Sequence, residues 1–278
     1  MLISSLLVSL VLVGQAKNDP DLFPLALHRS MEIDDLDREI QRLHDTVLLK
    51  RGQFLGTQRL SQRGLVSRAD LERESASLKY EEAHEAETIA FRNLKSYERD
   101  VMGRVIESDE VKAYSLLLEW VKKQQAMAQV DVDYREYHLK QTRALYQRKA
   151  VNKQEYDDAE VDFNTAQASL ALSKTREAQI VMELAARKGE KSYDTTEYQR
   201  LKTAYLTARI QYFEIVTAGA KNRLTIAQQR SVRGLLTPNE VALFQKGLED
   251  AEAALAAERK KLDTTEDNTQ DATTSPAQ

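Results

Sequence analysis

The side chains in this sequence that could do chemistry are four histidines, His28, His44, His84 and His138, and a large number of carboxylates. Only Glu81-x-x-His84 has ligand spacing, since residues three apart on a helix share one face. A dinuclear carboxylate bundle needs two such motifs and two further glutamates, and no second Glu-x-x-His occurs. A solvated, charged helix face explains Glu81 and His84 more simply. The absence of cysteine removes disulfides, thiolate metal ligands, a cysteine nucleophile and the acylated cysteine of a lipoprotein. There is no phosphate-cradling glycine loop and no nucleophile elbow. Trp120 and several tyrosines recur at helical spacing, a pattern typical of packing rather than of a ligand stripe. The carboxylates are scattered among Lys and Arg as a mixed-sign surface. These residues point to a protein with no enzymatic activity, cofactor or metal.

The elements that carry them are helices. In 278 residues there are only 9 Gly and 4 Pro, and 30% of the chain is charged, which favours long helices over sheets. Aromatic content of 6% is low for a large core but sufficient for narrow helix–helix seams. The formal net charge is −4, and Asp263, Glu266, Asp267 and Asp271 near the carboxyl terminus account for all of it. A charge-balanced body argues against nucleic-acid binding, which needs a basic footprint.

Residues 2–13, LISSLLVSLVLV, form an apolar run followed by Gly14-Gln15-Ala16 and then Lys17. The run is shorter than the roughly 20 residues that a membrane-spanning helix requires. Small residues at Gly14 and Ala16 predict a signal peptide over 1–16 with cleavage after Ala16, and so a periplasmic or secreted protein. No later stretch is apolar enough to cross a membrane, so no transmembrane helix is expected after signal removal.

The chain repeats every 85 residues. Arg63-Gly-Leu-Val-Ser67-Arg-Ala-Asp70, Arg148-Lys-Ala-Val-Asn152-Lys-Gln-Glu155 and Arg233-Gly-Leu-Leu-Thr237-Pro-Asn-Glu240 align without gaps. Each predicts a helix–turn–helix. Gly64 and Gly234 suit the left-handed residue that ends a helix, with Lys149 in that place in the middle copy. Ser67, Asn152 and Thr237 are N-caps, and the acid three residues on completes a capping box. Pro238 falls at the first helical position, where its missing N–H is no loss. Between caps lie two apolar residues, Leu65-Val66, Ala150-Val151 and Leu235-Leu236.

The flanks carry seven-residue seams. Ile33, Ile40, Val47 and Phe54 run with Leu36 and Leu43 before the first turn. Trp120, Met127 and Tyr134 precede the second, and Tyr156, Phe163 and Leu170 follow it. Val241, Leu248, Leu255 and Leu262 follow the third. Such spacing keeps one stripe facing a partner helix. The helix after the first turn is weaker, with Glu74, Glu81 and Glu85 at seam places, and is expected to shift register or be mostly solvated. Ser108-Asp-Glu and Asp194-Thr-Thr-Glu197 are candidate caps at the other reversals. The expected fold is all-α, about six long helices in three tandem antiparallel coiled-coil hairpins forming an elongated bundle. The boundaries read 17–107, 108–192 and 193–262, with a disordered acidic tail over 263–278.

The middle copy, Leu145-Tyr-Gln-Arg-Lys-Ala-Val-Asn152-Lys-Gln-Glu155-Tyr156-Asp-Asp-Ala159, resembles the hairpin tip of periplasmic adaptor, or membrane-fusion, proteins of the hemolysin-secretion and drug-efflux type. The resemblance covers the turn and about twenty residues on each side. It implies a hairpin that crosses periplasmic space and a tip that meets an outer-membrane channel. In the family's Arg-x3-Leu-x6-Ser tip pattern, Leu60 and Ser67 match the second half, and Leu145 with Asn152 keeps the leucine and a polar cap. The arginine place holds Gly56, Gln141 and Ile226, and no segment resembles the family's lipoyl-like or β-barrel domains.

The sequence thus predicts an exported, non-catalytic interaction protein. The candidate site is the set of turns: Leu65, Val66 and Ser67; Ala150, Val151 and Asn152; Leu235, Leu236 and Thr237. The expected partner is a protein of the cell envelope, such as an outer-membrane channel or transport component. A structural spacer or self-assembling extracytoplasmic coiled coil is the alternative, and a helical-bundle metal protein the least favoured. Narrow seams commonly recruit more helices, so a homo-oligomer suits either of the first two.

Overall fold

The computed structural model describes residues 32–190 and 195–274, the last helix by its backbone alone after Thr264. The predicted signal segment 1–16 and the Asp194 cap lie outside these residues. Six helices follow one another: α1 (Ile33–Gln62), α2 (Arg68–Met102), α3 (Glu110–Gln147), α4 (Lys153–Arg187), α5 (Thr195–Val232) and α6 (Pro238–Thr274). No strand occurs among the described residues. Consecutive helices pair as antiparallel hairpins, α1 with α2, α3 with α4 and α5 with α6. The pairing is visible in cross-turn contacts: His44 Nδ1 lies 2.8 Å from Glu85 Oε1, Arg135 reaches Asp162 at 2.7 Å, and Arg259 reaches Glu214 at 2.8 Å. Exposed ion pairs of this kind contribute little stability, at most ~1 kcal/mol each. The hairpins are held by their apolar faces.

The described residues fall into two compact units, one within Met1–Val130 and Ile180–Ser192, the other within Asp131–Gln179 and Tyr193–Gln278. The first has a core to which four helices contribute: Leu36 from α1, Ala90, Phe91 and Leu94 from α2, Trp120 and Val121 from α3, and Ile180 from α4. Trp120 is fully buried, with its ring 5.2 Å from that of Phe91. Of the two alternatives expected for α2, a shifted register or a mostly solvated helix, this rules out the second. From Glu87 to Tyr97 that helix is the most enclosed part of the first hairpin, with Thr88, Ala90, Phe91 and Leu94 also buried. Packing against more than one neighbour has no seven-residue signature, because apolar residues then surround the helix rather than line one stripe.

Within this core, Trp120 Nε1–H donates to Glu87 Oε1 at 2.5 Å. Burial pushes the Glu87 carboxyl above its ordinary value of 4.5, and the indole N–H pulls the other way with less effect. For a carboxyl whose folded value is raised, the charged form is the disfavoured one. Its stabilising contribution is complete below 4.5 and is lost as pH rises through the raised value. Glu87→Gln keeps an acceptor for the indole without a charge. It should raise stability at pH 8 and flatten the decline between pH 4.5 and 8, followed by urea unfolding with Trp120 fluorescence; equal pH slopes in the two proteins would contradict this assignment.

In the second unit Leu172 of α4 packs on Tyr205 and Ala208 of α5. Gly219 of α5 meets α4 closely: a Cβ there would stand 2.8 Å from Val161 Cγ1. One turn along from Tyr205, the buried Arg209 pairs with the buried Glu258 of α6 at 2.8 Å, and Lys261 Nζ adds a second cation 3.1 Å from the same oxygen. The third seam frays toward its turn: Leu248 and Ala251 are buried, but Phe244 is 40% exposed. The last helix also continues past Leu262 to Thr274, beyond the boundary at which the acidic tail was placed. Residues 263–274 contain neither Gly nor Pro, so no strong helix breaker interrupts that stretch.

Candidate interaction site at the hairpin turns

Five turns reverse the chain between these helices, and each begins with the same backbone device. At the first, Leu65 N–H donates to Leu60 O and Gly64 N–H to Ser61 O, both at 2.9 Å. Ala150 to Leu145 with Lys149 to Tyr146, and Leu235 to Arg230 with Gly234 to Ser231, repeat the pair at 2.9 Å. This is the Schellman motif, in which a left-handed residue lets the chain turn back and satisfy the last carbonyls. Gly64 and Gly234 take φ of 69° and 71°, and Lys149 takes 58°. The middle turn therefore has the same geometry as its siblings with a side chain at the disfavoured position. A left-handed conformation costs an L-residue about 1–2 kcal/mol, offset in part by the greater unfolded-state freedom of glycine. Lys149→Gly should accordingly stabilise the chain by up to about 1 kcal/mol in urea titrations, whereas Gly64→Lys should destabilise it by a similar amount.

The caps form as the sequence indicates. Ser67 Oγ accepts from Asp70 N–H at 3.1 Å while Ser67 N–H donates back to Asp70 Oδ2 at 3.3 Å. Thr237 and Glu240 form the same box at 3.3 and 2.7 Å. Asn152 Oδ1 accepts from Glu155 N–H at 3.0 Å, but the return bond comes from its own side-chain amide. Hydrogen bonds from the Ser67 hydroxyl and N–H hold Asp70 below the usual carboxylate range, and the Thr237 N–H does the same for Glu240. Ser67, Asn152 and Thr237 are thus engaged by their own helices and shape the turns.

What the turns present outward is basic and apolar together: Arg63, Arg148, Lys149 and Arg233 are exposed next to the apolar apices. Leu65 is 67% and Leu235 69% exposed, while Val66, Val151 and Leu236 are half-buried beside them. Ala150 is exposed in the equivalent place. Within the second unit, Arg230 Nη2 donates to Gln154 Oε1 at 2.9 Å, which sets the third turn beside the second. Residues that sequence reasoning missed enlarge this surface: Val232 is 89% exposed beside Leu235, and Tyr146 stacks on Tyr156 at 5.3 Å across the middle turn. Tyr146 lies on neither seam row, and that off-seam position was the available signal.

The other two reversals differ. Arg104, with φ of 56°, and Gly189, with φ of 71°, are again 85 residues apart, although their surrounding sequences share almost nothing. The cap there falls on Asp109 rather than Ser108: Asp109 Oδ1 accepts from Lys112 N–H at 3.1 Å. Tyr97 secures that turn, its hydroxyl donating to Asp109 O at 2.8 Å and accepting from Asp109 N–H at 2.7 Å. His84 of the Glu81-x-x-His84 pair sits near the Tyr80 ring, and burial lowers its pKa. Among the described residues no three His, Asp or Glu side chains are grouped to hold a metal ion, and no helix is long and apolar enough to cross a membrane. Comparison of the chain with family models, with curated proteins and with solved structures finds no match.

Proposed function

We propose that this chain is a non-catalytic interaction protein, exported to the periplasm or secreted, that engages a partner in the cell envelope through the turns at Gly64, Lys149 and Gly234. One observation carries the reading: the turn device recurs every 85 residues and each time leaves a hydrophobic or small side chain exposed at its apex. Large exposed apolar residues on a rigid, capped turn have no packing role in the hairpin itself and suit a complementary surface. The partner class is a protein, such as an outer-membrane channel or transport component, because the chain carries no basic footprint for nucleic acid. A photoreactive residue placed at Leu65, Ala150 or Leu235 in the native envelope should form adducts that are absent with the same residue at the exposed rod position Lys122. Leu235→Ser with Leu236→Ser should remove the Leu65 and Ala150 adducts' counterpart at the third turn, read through the probe at Val232, without changing helicity by circular dichroism. Adducts equally abundant at Lys122, or unaffected by the serine pair, would remove the support for this reading.

A further inference from the structure

Among the described residues nothing covers the outer face of α1, and that face carries its own complement. Ile33, Leu36, Leu43 and Val47 face the core. At 3.6 residues per turn, Asp45, Leu48, Leu49, Gly52, Leu55, Gly56 and Arg59 lie together on the opposite face. All are exposed, Leu48 by 52%, Leu49 by 61% and Leu55 by 45%, and an added Cβ on Gly52 or Gly56 would meet nothing within 4 Å. Glycine is a poor helix former, and these two glycines lie inside the helix rather than at its cap, with nothing near enough for them to serve packing within the hairpin. Their use is to let another backbone approach.

We infer that this face binds the same face of a second copy, antiparallel, about a two-fold axis at Gly52. Asp45 and Arg59 each stand seven residues, two helical turns, from Gly52. In the antiparallel pair Asp45 of one copy meets Arg59 of the other, Leu48 lies over Gly56, and Leu49 over Leu55, each contact occurring twice. That reciprocity is what an isologous interface requires. The charges are available for it: Asp45 accepts one hydrogen bond from Gln41 at 3.1 Å, and neither Asp45 nor Arg59 forms an ion pair among the described residues. Most arginines along the helices do, including Arg38, Arg42 and Arg51 on α1 itself. Leucines seated over glycines give the close, interdigitated contact that small residues permit.

The inference stands independently of the turns, which lie outside this face. It is tested with the mature full chain by sedimentation equilibrium over a range of concentrations. A reversible dimer of twice the chain mass is expected. Asp45→Arg alone and Arg59→Asp alone should each weaken it by about ten-fold or more, and the two changes together in one chain should restore it. Only an antiparallel pairing of the face with itself makes that combination self-complementary. Because the chain has no cysteine, Gly52→Cys should yield a covalent dimer under mild oxidation, blocked by Leu48→Glu with Leu49→Glu. A monomer at every concentration, or a dimer that both single charge reversals leave unchanged, would overturn the proposal. So would a monomer whose α1 outer-face amides are protected from hydrogen exchange, the sign that residues preceding Glu32 cover the face instead.

Discussion

Replacing Trp120 with alanine should destabilise the protein by about 3–5 kcal/mol, the range for removing a large buried aromatic. Trp120 is the only tryptophan, it has no exposed surface, and its neighbours in the core come from α1, α2 and α4 as well as its own helix. Those four segments cannot all close in on the vacated volume, since each is fixed by its own hairpin partner, so a cavity should persist. The change also takes from the buried Glu87 its indole donor. Trp120→Phe separates the two contributions. It retains a ring against Phe91 but no N–H, and should cost less, about 1–3 kcal/mol from the unpaired acceptor. Phe244→Ala, at a residue 40% exposed, should cost below about 1 kcal/mol if burial rather than aromatic content is decisive. Urea unfolding followed by circular dichroism ranks the three, and comparable losses for Trp120→Ala and Phe244→Ala would contradict the placement of the core.

The second large effect belongs to the third hairpin. Arg209→Ala leaves Glu258 buried opposite no guanidinium, and breaking a buried pair from one side typically costs about 3–5 kcal/mol. Lys261, 3.1 Å from the same carboxylate, should hold the loss toward the lower end of that range. Removing both charges is a different experiment. Arg209→Met with Glu258→Leu replaces two desolvated ions with apolar side chains and should be near neutral, within about 1 kcal/mol, or stabilising. A cycle with Arg209→Met and Glu258→Leu as its single variants should therefore be strongly non-additive. If the single and double variants lose the same stability, the pair is solvated and α5 and α6 are not registered by it.

The parts of the fold legible in the sequence were those specified locally. A left-handed residue, a cap and an acid at fixed offsets define each turn within eight residues, so Arg63–Asp70 and its two copies could be read directly. The seams of α1 and α6 were legible for the same reason, since an apolar stripe at seven-residue spacing marks the face each turns to its hairpin partner. The core of the first unit was not, because Glu87 and Thr88 interrupt the apolar pattern where several helices converge. Arg209 and Glu258 looked like two more surface charges, since nothing local distinguishes a buried ion pair from a solvated one. The reversals at Arg104 and Gly189 were legible only in outline: breaks were expected at Ser108 and Asp194, but the first cap falls on Asp109, and the left-handed Arg104 and the Tyr97 hydroxyl that secure that turn carry no local signal. The candidate site was half legible. Its apolar apices were in view, whereas Val232 and Tyr146 lie outside the seam and the caps alike.

Distances across the turns test the central claim most directly. Spin labels on cysteines introduced in pairs, His44→Cys with Glu85→Cys, Arg135→Cys with Asp162→Cys and Glu214→Cys with Arg259→Cys, bracket the three turns in a chain that has no native cysteine. Reversal at each turn predicts separations of about 10–20 Å, the 8–10 Å between packed helices plus the label arms. Helix running straight through Ser67, Asn152 and Thr237 would instead place the pairs about 60, 40 and 68 Å apart at 1.5 Å per residue, and such distances would contradict the hairpins and the function built on their turns.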